Sequence, residues 1–441
     1  MRILVLYEIY TNTIRNTINE HLFSFKKYAP EHTYDYVNVI DKIPPVLFGA
    51  QYDLIILHYT YLAGARFDQD DRKWNKKVDG LERILGKKVA IPQDEYDYTN
   101  RLWELFKRVK VDTVFTCFET EIDIRTAYPY EKTLVKNFET VFTGYVDENN
   151  IEKMNMSSRP YKDRPIDLGY RARKLPANYG KHGQLKYELV ELFDTHLIGK
   201  GLMADIKNTN DILSEENLKV VKLGESWTDF LLSCKAFVGC EGGSSLLDPD
   251  GSIKEKVSAY EKQYPGATFQ EIENACFPGL DYNISCFAIS PRHFETAMAK
   301  TLQVLVEGNY AGIFLPNRHY LCLKRDFSNI DEVLNSLKNN ELCQKLIDTA
   351  YEDIVISGKY TYRAFVQQVL QSAVAMSEIP LNLSGDINLK IRLYLHQQKI
   401  SVLLNKNDIV AKIYNSPWFE YIHPFYRRFI KPLVRRSRSN S

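Results

Sequence analysis

The sequence predicts an α/β protein made of two Rossmann-like, doubly wound domains that face a cleft, with a helical C-terminal extension. Short apolar runs separated by helix-length amphipathic spacers recur in two stretches of the chain, the pattern of parallel βαβ units. A polar, Pro-containing segment without apolar periodicity, NMSSRPYKDR at 155–164, divides the two series. At 441 residues the chain also exceeds the size at which a single hydrophobic core keeps growing. The expected units are 1–154, 165–362 and the extension 363–441.

In the first unit the expected strands are Arg2 to Tyr7, Tyr34 to Val39, Leu54 to His58, Val89 to Pro92 and Val111 to Cys117, with an amphipathic helix from about Ile14 to Lys27. The second series runs Ile166 to Tyr170, His196 to Ile198, Ala236 to Gly239, Ala288 and Ile289, Leu302 to Val306, and Tyr320 to Leu323. Asn329, with Glu332 three residues on, reads as the capped start of the helix VLNSLK. Beyond Tyr362 the apolar spacing is helical to about Leu404. Doubly wound sheets bind ligands beyond the carboxyl ends of their strands, which makes the cleft between the units the expected site.

Composition removes several function classes. The chain carries 57 Lys and Arg against 56 Asp and Glu, but six of the cations lie in the last 21 residues with no acid among them. Residues 1–420 therefore hold 51 cations against 56 acids, a net −5, which argues against a nucleic-acid partner that needs a basic face. The seven cysteines are odd in number, form no CxxC pair and sit mostly in apolar stretches, so they read as reduced core residues of a cytoplasmic protein. The opening run MRILVLYEIY is broken by Glu8, too short for a signal peptide, and no segment approaches the length of a membrane span.

YEIYTNT follows the first strand where a dinucleotide site would carry GxGxxG, which argues against a nicotinamide or flavin cofactor. The informative stretch begins at Ser290-Pro-Arg-His-Phe-Glu295 and continues through Thr301 and the strand QVLVEG at 303–308. Tyr310, Gly312 and HYLCLKRDFSNIDEV follow it. Shorter segments agree with it: Gln93-Asp-Glu-Tyr96, Tyr170-Arg171 followed by Gly180 and Lys186, and the loop from Glu241 to Gly251. On these residues, over roughly 85–365, the chain resembles nucleotide-sugar glycosyltransferases of the B fold. The resemblance is to the group 1 branch that includes CgeB-like proteins and enzymes of bacterial polysaccharide clusters. It implies transfer of a sugar from a nucleotide-sugar donor, a UDP-sugar being the expected one, held by the second domain. The acceptor, a saccharide or lipid-linked glycan of an O-antigen or capsule, would sit on the first, and no metal cofactor would be needed.

The residues fit that chemistry. A glutamate at the start of a helix can accept two hydrogen bonds from a ribose diol, which the resemblance implies for Glu295. Arg292 in the same turn can pair with phosphate in a forked geometry, and Ser290 and Thr301 flank it in the matching pattern. Arg171 and Lys186 fall where retaining members keep a cationic pair on the diphosphate, and fixed positive charge is what a departing nucleoside diphosphate requires. Those members also keep a glutamate eight positions before the one matching Glu295, where this chain has Phe287. The loop Glu241-Gly242-Gly243-Ser244 is read as its replacement, the glycines permitting close approach and the carboxylate meeting sugar hydroxyls. Inversion would need a base, and Asp94, Glu95 and His58 lie at or beyond strand ends. Retention, the reading taken, needs none, because the leaving phosphate can serve.

Several of these residues also have plain structural readings. Arg292 and Glu295 could form a capping pair, Arg171 and Lys186 a solvated face, Asp94 and Glu95 the acids at a helix N-terminus, and His58 a satisfied strand end. Asp248-Pro-Asp250 followed by Gly251 reads as a turn rather than a metal site. The tail from Trp418 to Arg438 interleaves aromatics with the six cations, which suits reversible attachment to an anionic inner membrane face. Two further readings remain open: a nucleotide-sugar epimerase or hydrolase on the same fold, and a non-catalytic sugar-nucleotide-binding assembly protein.

Overall fold

The computed structural model describes residues 1–375 and 387–414, apart from 13, 41, 69, 130–134 and 210–224. Two parallel sheets form its frame. The first takes β1 (Arg2–Tyr7), β2 (Thr33–Asn38), β3 (Gln51–Leu57), β4 (Leu85–Ala90), β5 (Thr113–Thr116) and β6 (Asn137–Thr140) in the order β2-β1-β3-β4-β5-β6. The second uses β7 (Ile166–Ala172), β8 (Ala204–Asn208) and β9 (Cys234–Gly239). A short antiparallel ribbon of β10 (Gly242–Ser244) and β11 (Cys286–Ala288) follows, before β12 (Leu302–Val306) and β13 (Leu321–Leu323) complete the order β13-β12-β9-β7-β8. Both sheets are parallel throughout, as the alternating pattern of the sequence requires.

Strand β1 shows why its residues are apolar on both sides. Leu4 and Leu6 enter one core, and Ile3 and Val5 enter the core on the opposite face. The second of these faces is covered by the helix Asn16–Tyr28 and, from much later in the chain, by the helix Tyr362–Ala375. Tyr362, Phe365, Val366 and Val369 of the latter all lie in that core, at the spacing of one helical stripe. Burying each such side chain contributes about 1.5–3 kcal/mol.

The structure departs from the sequence-based expectations at several elements. His196 ends the helix Gly180–His196 and Ile198 is exposed, so 196–198 form no strand; β8 begins at Ala204 instead. Ala288 belongs to the ribbon and not to the main sheet. Asn329 precedes the helix Ile330–Ser336 without capping it, because its side chain accepts from the Lys324 amide at 2.9 Å and donates to the Cys322 carbonyl at 2.9 Å. The segment 155–164 starts inside the helix Glu148–Ser157 and ends at a buried anchor. Arg164 is 3% exposed and donates to the Arg159, Cys234 and Ala299 carbonyls, to Ser158 Oγ and to Thr301 Oγ1. Burial lowers its guanidinium pKa to about 10.

Two hydrogen-bonded bridges join the domains. The Val146 amide donates to the Tyr360 carbonyl at 2.8 Å, and the Tyr362 amide donates back to the Val146 carbonyl at 3.1 Å. Nearer the strand ends, the Tyr98 amide donates to the Asp248 carbonyl and the Asp248 amide to the Tyr96 carbonyl, each at 2.8 Å. The Asp248 carboxylate caps the helix Ser252–Gln263 through the Ile253 and Lys254 amides, and Asp250 accepts from the Ser252 amide, so this pair makes a turn. No helix among the described residues is long and apolar enough to cross a membrane. The tail Trp418–Arg438 lies outside the described residues.

Arg164→Ala removes five hydrogen bonds at once and strands the buried Cys234 and Ala299 carbonyls. We expect a loss of about 3 kcal/mol in urea denaturation, whereas Arg159→Ala, which leaves its acceptor carbonyl in place, should change stability by no more than about 0.5 kcal/mol.

Candidate functional site

The carboxyl ends of β7, β9 and β12 open toward the first sheet, and cations gather there. Cys240 and Glu241 follow β9. Lys186 comes from the helix Gly180–His196, Arg292 from the helix Pro291–Met298, and Arg325 from the turn after β13. Burial pushes the buried Cys240 thiol up to about 11, against the pull of Lys186, Arg292 and Arg325 around it. Burial lowers the Lys186 ammonium, and Arg292 adds to the drop while Asp94, from the first domain, opposes it. The Lys186 ammonium makes no hydrogen bond or ion pair among the described residues. Arg292 donates from Nη1 to the Arg171 carbonyl at 2.8 Å and lies over the Trp227 ring at 5.3 Å. Trp227 in turn donates its indole proton to Glu295 Oε2 at 2.8 Å, so one side chain positions both members of the predicted pair. Arg292 and Glu295 are therefore not a capping pair; the turn is capped by Ser290 and His293, whose Nδ1 meets Ser290 Oγ at 3.0 Å. Burial raises the half-buried Glu295 carboxyl.

Other predicted donor-site residues are turned into the fold. Arg171 is 5% exposed, bonds the Tyr170 and Asp205 carbonyls and pairs with the Asp205 carboxylate at 2.7 Å. It clamps β7 to β8 instead of reaching the cleft. Thr301 stands before β12, at the amino end of the sheet, between Arg164 and the Leu231 carbonyl. Gly242 and Gly243 lie in the ribbon, and Gly243 is needed there: with φ +101°, an added Cβ would fall 1.8 Å from the Cys286 carbonyl oxygen. Ser244 is fully buried and donates to the Tyr179 and Leu246 carbonyls. Glu241 is buried too, its Oε1 accepting from the Tyr310 amide at 2.7 Å, which makes it the anchor of the 308–310 turn rather than a free sugar ligand. The first amides of the helix Gly180–His196 are already taken, by Asp281 and Ser245. Charge for an anion in this cleft therefore comes from side chains.

On the first domain the three candidate bases separate. Asp94 is exposed in the loop beyond β4, with φ +55°, and faces Lys186 electrostatically. Glu95 is wholly buried: Thr116 Oγ1, the Cys117 amide and Tyr128 OH all donate to its carboxylate at 2.7–2.9 Å. Burial pushes that carboxyl up to about 7. His58 caps the helix Tyr59–Arg66, accepting at Nδ1 from the Thr60 amide, while Nε2 meets His21 Nδ1 at 3.0 Å. Both ring nitrogens are used, and burial lowers its imidazole far below the usual range, so neither Glu95 nor His58 is presented to the cleft.

Sequence reasoning passed over other groups. His182 stacks on Phe287 with ring centroids 4.0 Å apart, and its buried Nδ1 has no partner. Glu119 accepts from Asn309 Nδ2 at 2.6 Å across the domain boundary. A cavity of about 700 Å³ opens beyond β1, β3 and β4, lined among others by Glu8, Arg66, Lys77, Asp94 and Asp97, with Tyr179 from the second domain. Glu8, which interrupts the first apolar run, was visible in the sequence; its pairing with Lys77 at 2.8 Å, 69 residues away, was not. Burial pushes the Glu8 carboxyl up to about 7 against the pull of Lys77. No group of three or more His, Cys, Asp or Glu able to hold a metal ion occurs among the described residues.

No family model matches the chain, and no curated protein matches it. Among solved structures it is similar to TarM, with 10% identity and a TM-score of 0.43, over 73% of this chain and 54% of TarM, so that it spans about half of that protein. It is similar to Anabaena Alr3699/HepE in complex with UDP-glucose, at 9% identity and a TM-score of 0.46, over 85% of this chain and 100% of that one. An α-glucosyltransferase in complex with UDP and a 13-mer DNA containing an HMU base matches at 9% identity and a TM-score of 0.48, over 85% and 99% of the two chains.

A buried acid whose pKa is raised by folding stabilises the fold fully below its unfolded value and loses that contribution as pH rises through its folded value. Wild type should therefore lose stability relative to Glu95→Gln between pH 4.5 and about 7. The gap should approach about 3 kcal/mol and then level off, as read from denaturation of both proteins across that range.

Proposed function

We propose that the chain is a glycosyltransferase that moves a sugar from a nucleotide-sugar donor, held by the second domain, to a saccharide or lipid-linked acceptor on the first. The observation that supports this reading is the group Lys186, Arg292 and Arg325 about the end of β9, with the half-buried Glu295 carboxylate held beside Arg292 by Trp227. Three cations set where the first domain closes over the strand ends can offset the negative charge that builds on a leaving diphosphate. They act without reorganising, and most strongly where water is excluded. Glu295 Oε1 is left to accept from a ribose hydroxyl.

On this reading the donor is a UDP-sugar, the site works without a metal, and bacterial surface polysaccharide synthesis is the setting. Retention is the stereochemistry, with the leaving phosphate taking the acceptor proton. Should the reaction invert, Asp94 is the base, because it is the one of the three sequence candidates exposed toward Lys186. The basic tail then keeps the enzyme on the cytoplasmic face of the membrane, near a lipid-linked acceptor.

Calorimetric titration with UDP, GDP, TDP and CMP tests the donor site. One nucleotide should bind saturably. Lys186→Ala and Arg292→Ala should each weaken it by about tenfold, the cost of a charge-assisted phosphate contact, with the melting temperature within about 2 °C of wild type. No binding by any of the four would remove the donor site. Donor consumption without added acceptor would instead favour an epimerase or hydrolase.

A further inference from the structure

We infer that Glu119, on the first domain, is the side chain that reads the hydroxyls of the donor's sugar. The inference rests on the glycosyltransferase reading and names the residue that selects among its donors. The first argument is direction along the second sheet. In the order β13-β12-β9-β7-β8, Arg292 reaches back to the Arg171 carbonyl of β7, and Trp227 sets Glu295, the ribose acceptor, beside it. Arg325 follows β13, on the opposite side of β9. A diphosphate held between these two arginines carries its ribose on the β7 side, so its sugar falls beyond β12. Asn309 stands there, in the turn after β12, and meets Glu119 from the loop after β5 of the first sheet: Asn309 Nδ2 donates to Glu119 Oε2 at 2.6 Å.

The second argument is which acceptors remain. Glu241, the residue expected to meet sugar hydroxyls, is folded under the 308–310 turn. Its Oε1 accepts from the Tyr310 amide at 2.7 Å, and an added Cβ at Gly308 would fall 2.4 Å from its Oε2. Glu241 thus holds the turn that presents Asn309, and Asn309 holds Glu119. Glu119 itself is exposed, and its Oε1 makes no hydrogen bond among the described residues. One oxygen is fixed by the bridge between the domains, and the other is left to accept.

Chemistry then selects a hydroxyl as the partner. Partial burial raises the Glu119 carboxyl, and the negative charges of Glu241 and Asp123 add to the rise against the pull of Asn309. A further anion would meet charges of its own sign here. A sugar hydroxyl supplies the proton that a carboxylate accepts in a charge-assisted bond, stronger than one between neutral groups. Arg325 acts electrostatically on Glu241 and on Cys240 alike, which places this acceptor next to the cations that hold the diphosphate. Nucleotide and sugar are thereby read by different domains: cations of the second hold the diphosphate, and a carboxylate of the first holds the sugar.

Calorimetric titration of wild type and Glu119→Gln tests this. The probes are UDP with UDP-glucose, UDP-galactose and UDP-N-acetylglucosamine, GDP with GDP-mannose, and TDP with TDP-glucose. Glutamine keeps an oxygen for the Asn309 bridge and loses the free acceptor, so a role confined to tying the domains together survives the change. For the nucleotide that wild type binds, Glu119→Gln should weaken the tightest-bound sugar conjugate about tenfold or more, the loss of a hydrogen bond to a charged group. The parent nucleotide should stay within about twofold, and the melting temperature of this exposed-site variant within about 2 °C of wild type. Equal weakening of conjugate and parent, an unchanged conjugate, or a nucleotide bound with none of its conjugates would each overturn the sugar contact. No binding by any of the three nucleotides would instead remove the diphosphate donor on which the inference rests.

Discussion

The arrangement of the cleft depends on one pair of backbone hydrogen bonds, those that tie Val146 to the strand-like segment at Tyr360–Tyr362. The chain leaves the first sheet near Val146 and comes back to it at Thr361. Two covalent crossings side by side restrain the rotation of one parallel sheet against the other far more than a single linker would. Phe365, Val366 and Val369 then fill the face of the first sheet beside Phe25, so the return is held by burial as well as by the bonds. A second bridge, between Tyr96–Asn100 and Asp248–Pro249, locks the loop beyond β4 to the loop beyond the ribbon. Asp94, Lys186 and Tyr179 face one another because these crossings fix the strand ends at that distance.

Within this frame, charged residues divide by what they face. Arg164, Arg171, Glu95 and Glu241 point inward and find carbonyls, amides and hydroxyls, so each replaces water with protein dipoles. Removing such a group would leave its partners stranded, which is why residues of catalytic type can serve as scaffold. Lys186, Arg292, Arg325 and Asp94 stay toward the opening. Glu8 belongs with the inward group: it is buried and paired with Lys77 at one oxygen, and its other oxygen is covered without a hydrogen-bond partner.

Much of the architecture was legible. Parallel strands buried on both faces read as continuous apolar runs, and β1, β9 and β12 were visible for that reason. Ala204–Asn208 was missed because an edge strand with one fully buried residue has no such run. The Asn329 and Glu332 pattern matched a helix start, yet the side chain of Asn329 found backbone partners in the preceding turn. Of the site, Arg292, Glu295 and Lys186 stood out by residue type and position. Arg171, Thr301, Glu95 and His58 stood out equally well and are spent elsewhere.

By itself, then, the sequence determined the two parallel α/β units and the helix that follows Tyr362, and it marked Lys186 and Arg292 as charged candidates. These follow from local periodicity and from the chemistry of individual side chains, both of which are written in a linear string. Only the tertiary structure decided which polar groups are free. Whether Glu95 is a base or a core acceptor depends on Thr116 and Tyr128, and whether Glu8 is a surface acid or a buried ion-pair partner depends on Lys77. Those partners lie 21 to 69 residues away, and the burial that makes their bonds matter arises only when the sheets close.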